Sequence, residues 1–121
     1  MKFSQTHEWV KVEGENATVG ISDYAQKELG EIVYVELPTI GHVVSAGDEV
    51  VVLESTKSAV DIYTPISGKI LAINEELRSS PEIINNSPQA KGWLYKIKVH
   101  NPSELDFLMD DQAYQGYIAH S

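Results

Sequence analysis

Short β-branched runs divided by turn residues recur along nearly the whole chain. Trp9-Val10-Lys11-Val12 and Ala17-Thr18-Val19-Gly20-Ile21 flank Glu13-Gly14-Glu15-Asn16, which predicts a hairpin. Residues 22–30 change period. Ser22 or Asp23 can cap a first turn, Tyr24, Ala25 and Leu29 share a face, and Gly30 suits the position just past a helix end, so a short helix is predicted. Residues 32–37 return to strand before Pro38, and residues 41–48 supply a strand and a tight turn. Lys69-Ile70-Leu71-Ala72-Ile73 reads as another strand, whereas residues 75–88 are polar and predict loop with at most one helical turn. In residues 93–99, Trp93, Tyr95, Ile97 and Val99 alternate onto one face. Ser103-Glu104-Leu105-Asp106 matches a capping box, which predicts an amphipathic C-terminal helix beginning there. Gly47 and Gly68 each open a strand, on either side of a further hairpin, an echo suited to a sandwich with related halves. No linker or low-complexity run interrupts residues 1–121, so one mainly β domain with short peripheral helices is expected.

That further hairpin holds the most informative residue. An apolar run, Val51-Val52-Leu53, rises to Ser55-Thr56-Lys57-Ser58, and a second run, Ala59-Val60-Asp61-Ile62-Tyr63, descends to a turn at Pro65-Ile66-Ser67-Gly68. Lys57 is therefore expected at the hairpin tip. An amine held there is badly placed for packing and well placed to carry something, although most lysines in polar turns are merely solvated.

Composition narrows the classes. With 121 residues the chain can bury roughly two-thirds of the surface it exposes when unfolded, so no disulfide or structural metal is needed. There is no cysteine, hence no thiol nucleophile, zinc knuckle or disulfide framework. The formal charge of −9, from 9 Lys+Arg against 18 Asp+Glu, repels phosphate backbones and anionic lipid, so neither nucleic acid nor membrane is expected as a partner. No run has the length of a membrane span and the first residues lack a signal-peptide pattern, which points to the cytoplasm. His7, His42, His100 and His120 are scattered and read as surface or loop side chains. Neither a phosphate-binding glycine loop nor a G-x-S-x-G elbow is present, and no catalytic set or metal site is found.

The segment from Glu54 to Gly68 resembles the lipoyl-lysine segment of the glycine cleavage system H proteins. Glu54, Ser55, Lys57, Asp61 and the Pro65-Ile66-Ser67-Gly68 turn stand where that family has its acid, serine, modified lysine, later aspartate and turn. Thr6-His7-Glu8-Trp9-Val10 is similar to the family's N-terminal signature, and the resemblance continues through residues 19–38 and through Asn85-Asn86-Ser87-Pro88 and Gly92-Trp93. Departures are modest. Ser58 and Val60 replace smaller or more polar residues after the lysine, and Thr64 precedes the proline where a small residue is commoner.

The resemblance implies a lipoyl/biotinyl-type barrel-sandwich hybrid with short peripheral helices and a C-terminal helix, its terminal extensions packed on a single carrier domain. It implies lipoate in amide linkage to Lys57, moving the formal charge from −9 to −10. By the same resemblance the arm takes an aminomethyl group from glycine decarboxylase (P-protein), delivers it to the tetrahydrofolate-dependent aminomethyltransferase (T-protein), and is reoxidised by dihydrolipoyl dehydrogenase (L-protein), after loading by lipoate-attaching enzymes. The chain would then be their substrate and a non-enzyme; a monomer is expected because no long apolar stripe lacks a plausible core role. The family folds its loaded arm into a surface cleft, for which Asp61, Glu8 and Thr6 are the candidates here, carboxylates suiting a cationic nitrogen. Lack of cysteine suits a dithiol arm, since no internal thiol can trap it as a mixed disulfide. Three rivals stay open: a biotin carrier, disfavoured because Thr56 and Ser58 rather than methionines flank Lys57; a relay donating lipoyl groups to 2-oxo acid dehydrogenases; and an unmodified interaction module.

Overall fold

The computed structural model describes residues 1–120. Nine strands form two antiparallel sheets: β1 (Lys2–Phe3), β2 (Glu8–Glu13), β3 (Asn16–Ile21), β4 (Ile32–Glu36), β5 (Val43–Val44), β6 (Glu49–Ser55), β7 (Ala59–Tyr63), β8 (Gly68–Ile73) and β9 (Tyr95–Val99). The larger sheet has the order β1-β2-β3-β9-β8-β5 and the smaller β4-β6-β7. Val19, Ile21, Ile70, Tyr95 and Ile97 from the first meet Ile32, Val35, Val51, Leu53 and Ile62 from the second in one buried cluster. Period-two alternation supplies most of those side chains, while in β4 a register irregularity between Ile32 and Tyr34 brings Ile32 and Val35, three apart, to the core. The mainly β sandwich read from the turn pattern is thus the fold observed. The two strands that open at glycines, β6 and β8, lie in opposite sheets.

Two glycines are there for space. Trp9 pairs with Gly20 across β2 and β3, and a Cβ on Gly20 would lie 2.7 Å from the indole ring. Gly68 opposes Val99 where β8 meets β9, and a side chain there would run into the Lys98 carbonyl. Gly68, part of the lysine-segment pattern, thus has a close-packing role in the sheet far from the hairpin tip.

Helix α1 (Asp23–Leu29) forms where the period changes. The Ser22 side chain accepts from the Ala25 N–H, Gly30 closes the end with φ +82°, and Lys27 pairs with Asp23 at 3.0 Å. Its predicted apolar face divides: Ala25 and Leu29 pack partly buried on the core, whereas Tyr24 turns to His7, with ring centroids 4.8 Å apart.

Three expectations change. Residues 75–88 contain two single-turn helices, α2 (Glu76–Ser79) and α3 (Ile83–Asn86), each burying one apolar side chain, Leu77 and Ile84. Helices this short carry little periodic signal, and tertiary burial holds them. Trp93 lies before β9 rather than on it, joining a second cluster with Phe3, Trp9 and Tyr114. The apparent capping box at Ser103–Asp106 caps nothing. Those residues form a 3-10 helix, Pro102–Phe107, in which Glu104 reaches across to accept from the backbone N–H and hydroxyl of Ser67, both at 2.8 Å. The C-terminal helix α4 (Asp111–Ala119) begins later, capped by the Asp110 side chain on the Ala113 N–H.

The two chain ends are stapled together. Phe3 and Met109 exchange backbone hydrogen bonds of 2.7 and 2.8 Å, and the Phe3 and Tyr114 rings stack 4.3 Å apart. Among the described residues no helix is long and apolar enough to cross a membrane.

Candidate functional site

Lys57 stands in the turn between β6 and β7, which pair Leu53 with Val60 and Glu54 with Ala59 just below it. Its side chain is exposed, but its backbone is fixed. Ser55 Oγ accepts from the N–H groups of both Lys57 and Ser58, each at 3.1 Å, while the Ser55 N–H donates to the Ser58 carbonyl at 2.8 Å. One serine thus closes the turn around the lysine. This is a local side-chain-to-backbone motif of the kind Ser favours. The Thr56 N–H donates to the Glu31 carbonyl at 3.0 Å, tying the turn to the junction between α1 and β4.

That junction is shaped for the lysine stem. A Cβ on Gly30 would lie 3.3 Å from Lys57 Cε, and Gly30 already holds a positive φ that a side chain would strain. Asn85 on α3 braces the same point, accepting from the Ile32 N–H at 2.9 Å and donating to the Gly30 carbonyl at 2.8 Å. Glu54 is exposed between Tyr34 and Ala59 on the outer face of the small sheet.

Beside the hairpin an open cleft of about 330 Å³ is walled by three segments: Thr6, His7 and Glu8 before and at the start of β2, Tyr24, Ala25, Glu28 and Leu29 on α1, and residues 60–63 on β7. Thr6, Glu8 and Asp61, candidates far apart in sequence, are therefore brought to one cavity. Asp61 is exposed on β7 opposite Val52, while Glu8 is 1% exposed. The Ser4 and Thr6 hydroxyls both donate to Glu8 Oε1, at 2.7 and 2.6 Å, and no donor among the described residues reaches Oε2. Burial pushes the Glu8 carboxyl above its ordinary value, against the opposing pull of those two hydroxyls. A carboxylate so placed gains most from a cation brought to its free oxygen.

Three wall residues went unread as site residues. His7, taken for a surface or loop side chain, is half-buried in the cleft with φ +73°. Its carbonyl accepts from the Ser22 N–H at 2.9 Å, and its Nδ1 lies 2.8 Å from Tyr114 Oη. Burial holds its pKa below the usual imidazole value, with the Glu28 carboxylate opposing. Tyr24 and Glu28 reach the cleft from α1, with only helical spacing from Leu29 to mark them.

Thr64 departs from the small residue expected before the proline, and the structure uses its hydroxyl. It is buried and donates to the Ile66 carbonyl at 2.8 Å, closing the Pro65 turn internally.

Comparison with known proteins gives one consistent result. Residues 1–121 match the family model described as glycine cleavage H-protein. The glycine cleavage system H protein of Thermotoga maritima is 48% identical over 118 residues, covering 98% of this chain and 95% of that protein. That of Alcanivorax borkumensis is 52% identical over 118 residues, covering 98% and 92%. Among solved structures, the crystal structure of a glycine cleavage system H protein from Mycobacterium marinum superposes with a TM-score of 0.89 at 31% identity, covering 98% of this chain and 95% of that one.

Proposed function

The chain belongs to the glycine cleavage H-protein family, and from that premise we propose that it is a lipoyl-lysine carrier with lipoate in amide linkage to Lys57. One observation carries the reading: an exposed lysine, rigid in its backbone and free in its side chain, stands beside a cleft that gathers Thr6, Glu8 and Asp61. The residues fit the group. Gly30 leaves room for the lysine stem, Ser55 fixes its root, and among the described residues there is no cysteine and no metal-holding cluster. Attached there, lipoate would supply a cyclic disulfide that opens as it takes an aminomethyl group from glycine decarboxylase, one sulfur bonding carbon and the other becoming a thiol; after the tetrahydrofolate-dependent aminomethyltransferase removes the group, dihydrolipoyl dehydrogenase would return the dithiol to the disulfide.

The chain's own residues do the holding. A protonated amine in the cleft meets the free oxygen of Glu8 and the exposed carboxylate of Asp61, with the Thr6 hydroxyl at the rim. Both carboxylates favour the charged amine over the neutral one, and keeping that proton on withholds the lone pair needed to expel the group into water. Ala25, Leu29 and Val60 give the cleft apolar walls that limit the access of water. A flexible stem on a rigid turn keeps the arm at high local concentration beside each docked enzyme. In this reading residues 1–121 act as one carrier domain in the cytoplasm, monomeric, loaded by lipoate-attaching enzymes and without turnover of its own.

Intact mass with peptide mapping, on protein purified from its own cells, tests the proposal. A lipoyl-sized increment localised to Lys57 is expected. A free Lys57 amine in protein from growing cells would defeat the reading and favour an unmodified interaction module.

A further inference from the structure

A buried chain of hydroxyls runs from α1 to the cleft. Ser22 Oγ, fully buried, accepts from the Ala25 N–H at 3.1 Å and lies 2.6 Å from Tyr114 Oη, which in turn lies 2.8 Å from His7 Nδ1. The protons in this chain can run in two directions. If Ser22 donates to Tyr114, Tyr114 donates to His7 Nδ1, and the imidazole must carry its proton on Nε2. Every hydroxyl proton then has an acceptor. In the reverse direction Nδ1–H donates to Tyr114 and Tyr114 donates to Ser22, which leaves the Ser22 proton buried with no acceptor among the described residues. Stranding a buried donor biases such an equilibrium by roughly tenfold or more, so the first direction wins.

We propose that His7 is a specificity-determining residue of the cleft, held by Ser22 and Tyr114 as the neutral Nε2–H tautomer, so that it admits a cationic load while neutral and weakens the docking of that load once protonated. The inference rests on the lipoyl-carrier reading for the identity of the load, but the tautomer stands on the hydrogen-bond chain alone.

The surroundings divide on the charge of His7. Glu28 from α1, Glu8 from the same turn and Asp61 from β7 are carboxylates in the same cleft and favour imidazolium. Burial opposes them and prevails, holding the His7 pKa below its usual value. Tyr24 from α1 and Tyr117 from α4 pack their rings within 5.8 Å of the imidazole and complete the enclosure. Protonation carries a further penalty, because a proton on Nδ1 forces Tyr114 to reverse and strands the Ser22 hydrogen. Coupling between two sites is reciprocal: whatever factor His7 protonation takes from docking, a docked cation takes from His7 protonation.

The test uses full-length protein labelled with ¹⁵N, and reads the His7 ring by long-range proton–nitrogen correlation. Wild type is expected to show the proton on Nε2, and Tyr114→Phe, which keeps the ring stacked on Phe3 but removes the hydroxyl, a mixture of tautomers. Ser22→Ala serves as the second variant: Tyr114 can still donate to Nδ1, so Nε2–H should persist there. An Nδ1–H tautomer in wild type or in folded Ser22→Ala, or unchanged Nε2–H in folded Tyr114→Phe, overturns the tautomer assignment. The His7 titration midpoint is then followed in unlipoylated, lipoylated and aminomethyl-loaded protein, with the Ala25 and Val60 amides reporting cleft occupancy. Loading is expected to lower the midpoint by at least about half a pH unit, equivalent to roughly threefold weaker docking to imidazolium. If the amides respond and His7 does not, the role of His7 falls while arm docking stands. If neither responds, the docked arm and this proposal fall together.

Discussion

The lysine turn and the cleft beside it are built in opposite ways. Four consecutive residues make the turn, and one of them, Ser55, supplies the hydrogen bonds that shape it. The cleft draws on residues 6–8, 24–29 and 60–63, and its hydroxyl chain reaches to Tyr114, 107 positions from His7. A locally built element tolerates change elsewhere in the molecule, whereas an element assembled from distant segments answers to packing far from its own surface. The lysine turn should therefore be robust, and the cleft fragile.

Gly20→Ala should break that comparison most forcefully. Gly20 lies on the opposite strand to Trp9, and an added methyl would meet the indole at 2.7 Å, so Trp9 must move. Trp9 packs with Phe3 and Tyr114 and donates from Nε1 to the Pro88 carbonyl at 2.9 Å, next to the turn that carries Thr6, His7 and Glu8. Overpacking of this kind costs about 1–3 kcal/mol. Urea unfolding should show that loss, and the His7 and Glu8 amide resonances should shift while those of Ser55 and Lys57 stay in place. Equal shifts in both regions would show that the turn is not independent.

The same contrast governs what could be read from the residues alone. Strand runs, the α1 cap at Ser22 and the position of Lys57 are local properties, carried by alternation, capping chemistry and β-branched residues converging on a polar turn, and all were legible. Thr6, Glu8 and Asp61 were legible only through a family resemblance, because nothing in the spacing of 8 and 61 says that β2 and β7 approach one cavity. His7 does lie in the loop before β2, as read, but its place in the cleft was not legible: a lone histidine in a polar stretch has no local mark of partial burial, and its partner Tyr114 sits on a helix whose start was itself misplaced. Ser103-Glu104-Leu105-Asp106 has the residue types of a cap, but Glu104 is taken by Ser67 across the fold, and Asp110 does the capping. Tertiary partners decided each of these cases.

Ser55→Ala sharpens the comparison from the other side. It removes the acceptor for two backbone N–H groups at an exposed turn but leaves the Ser55 N–H to Ser58 carbonyl bond and the β6–β7 ladder below. Because water can replace the lost acceptor, the expected cost is about 1 kcal/mol or less. On the lipoyl-carrier reading, the readout that should move is attachment: the lysine loses a fixed presentation, and the rate of lipoylation by a purified ligase should fall several-fold. Cleft resonances should not change. An unaltered rate would mean that the attaching enzyme shapes the turn itself and that Ser55 adds only stability.

Glu8→Gln should have the smallest effect on stability, and its sign depends on pH. Burial raises the Glu8 carboxyl in the folded protein above its ordinary value of 4.5, so the folded state binds this proton more tightly than the unfolded state. Its favourable contribution is complete below the unfolded value and is lost as pH rises through the folded value, where the carboxylate ionises in a poorly solvated place. Glutamine keeps an Oε1 acceptor for Ser4 and Thr6, and its amide nitrogen takes the position of Oε2, where no donor among the described residues opposes it. The variant should thus be more stable than wild type at neutral pH, with the difference shrinking as pH falls toward 4.5. Urea midpoints across that range check it, and a difference independent of pH would show that Glu8 is not the titrating group. The lipoyl-carrier reading adds a second expectation. A cation in the cleft stabilises the Glu8 carboxylate, so loading with the aminomethyl group should restore wild type more than the glutamine variant and narrow the gap at neutral pH. The cleft would then be least comfortable when empty, as befits a surface whose charge is completed by its load.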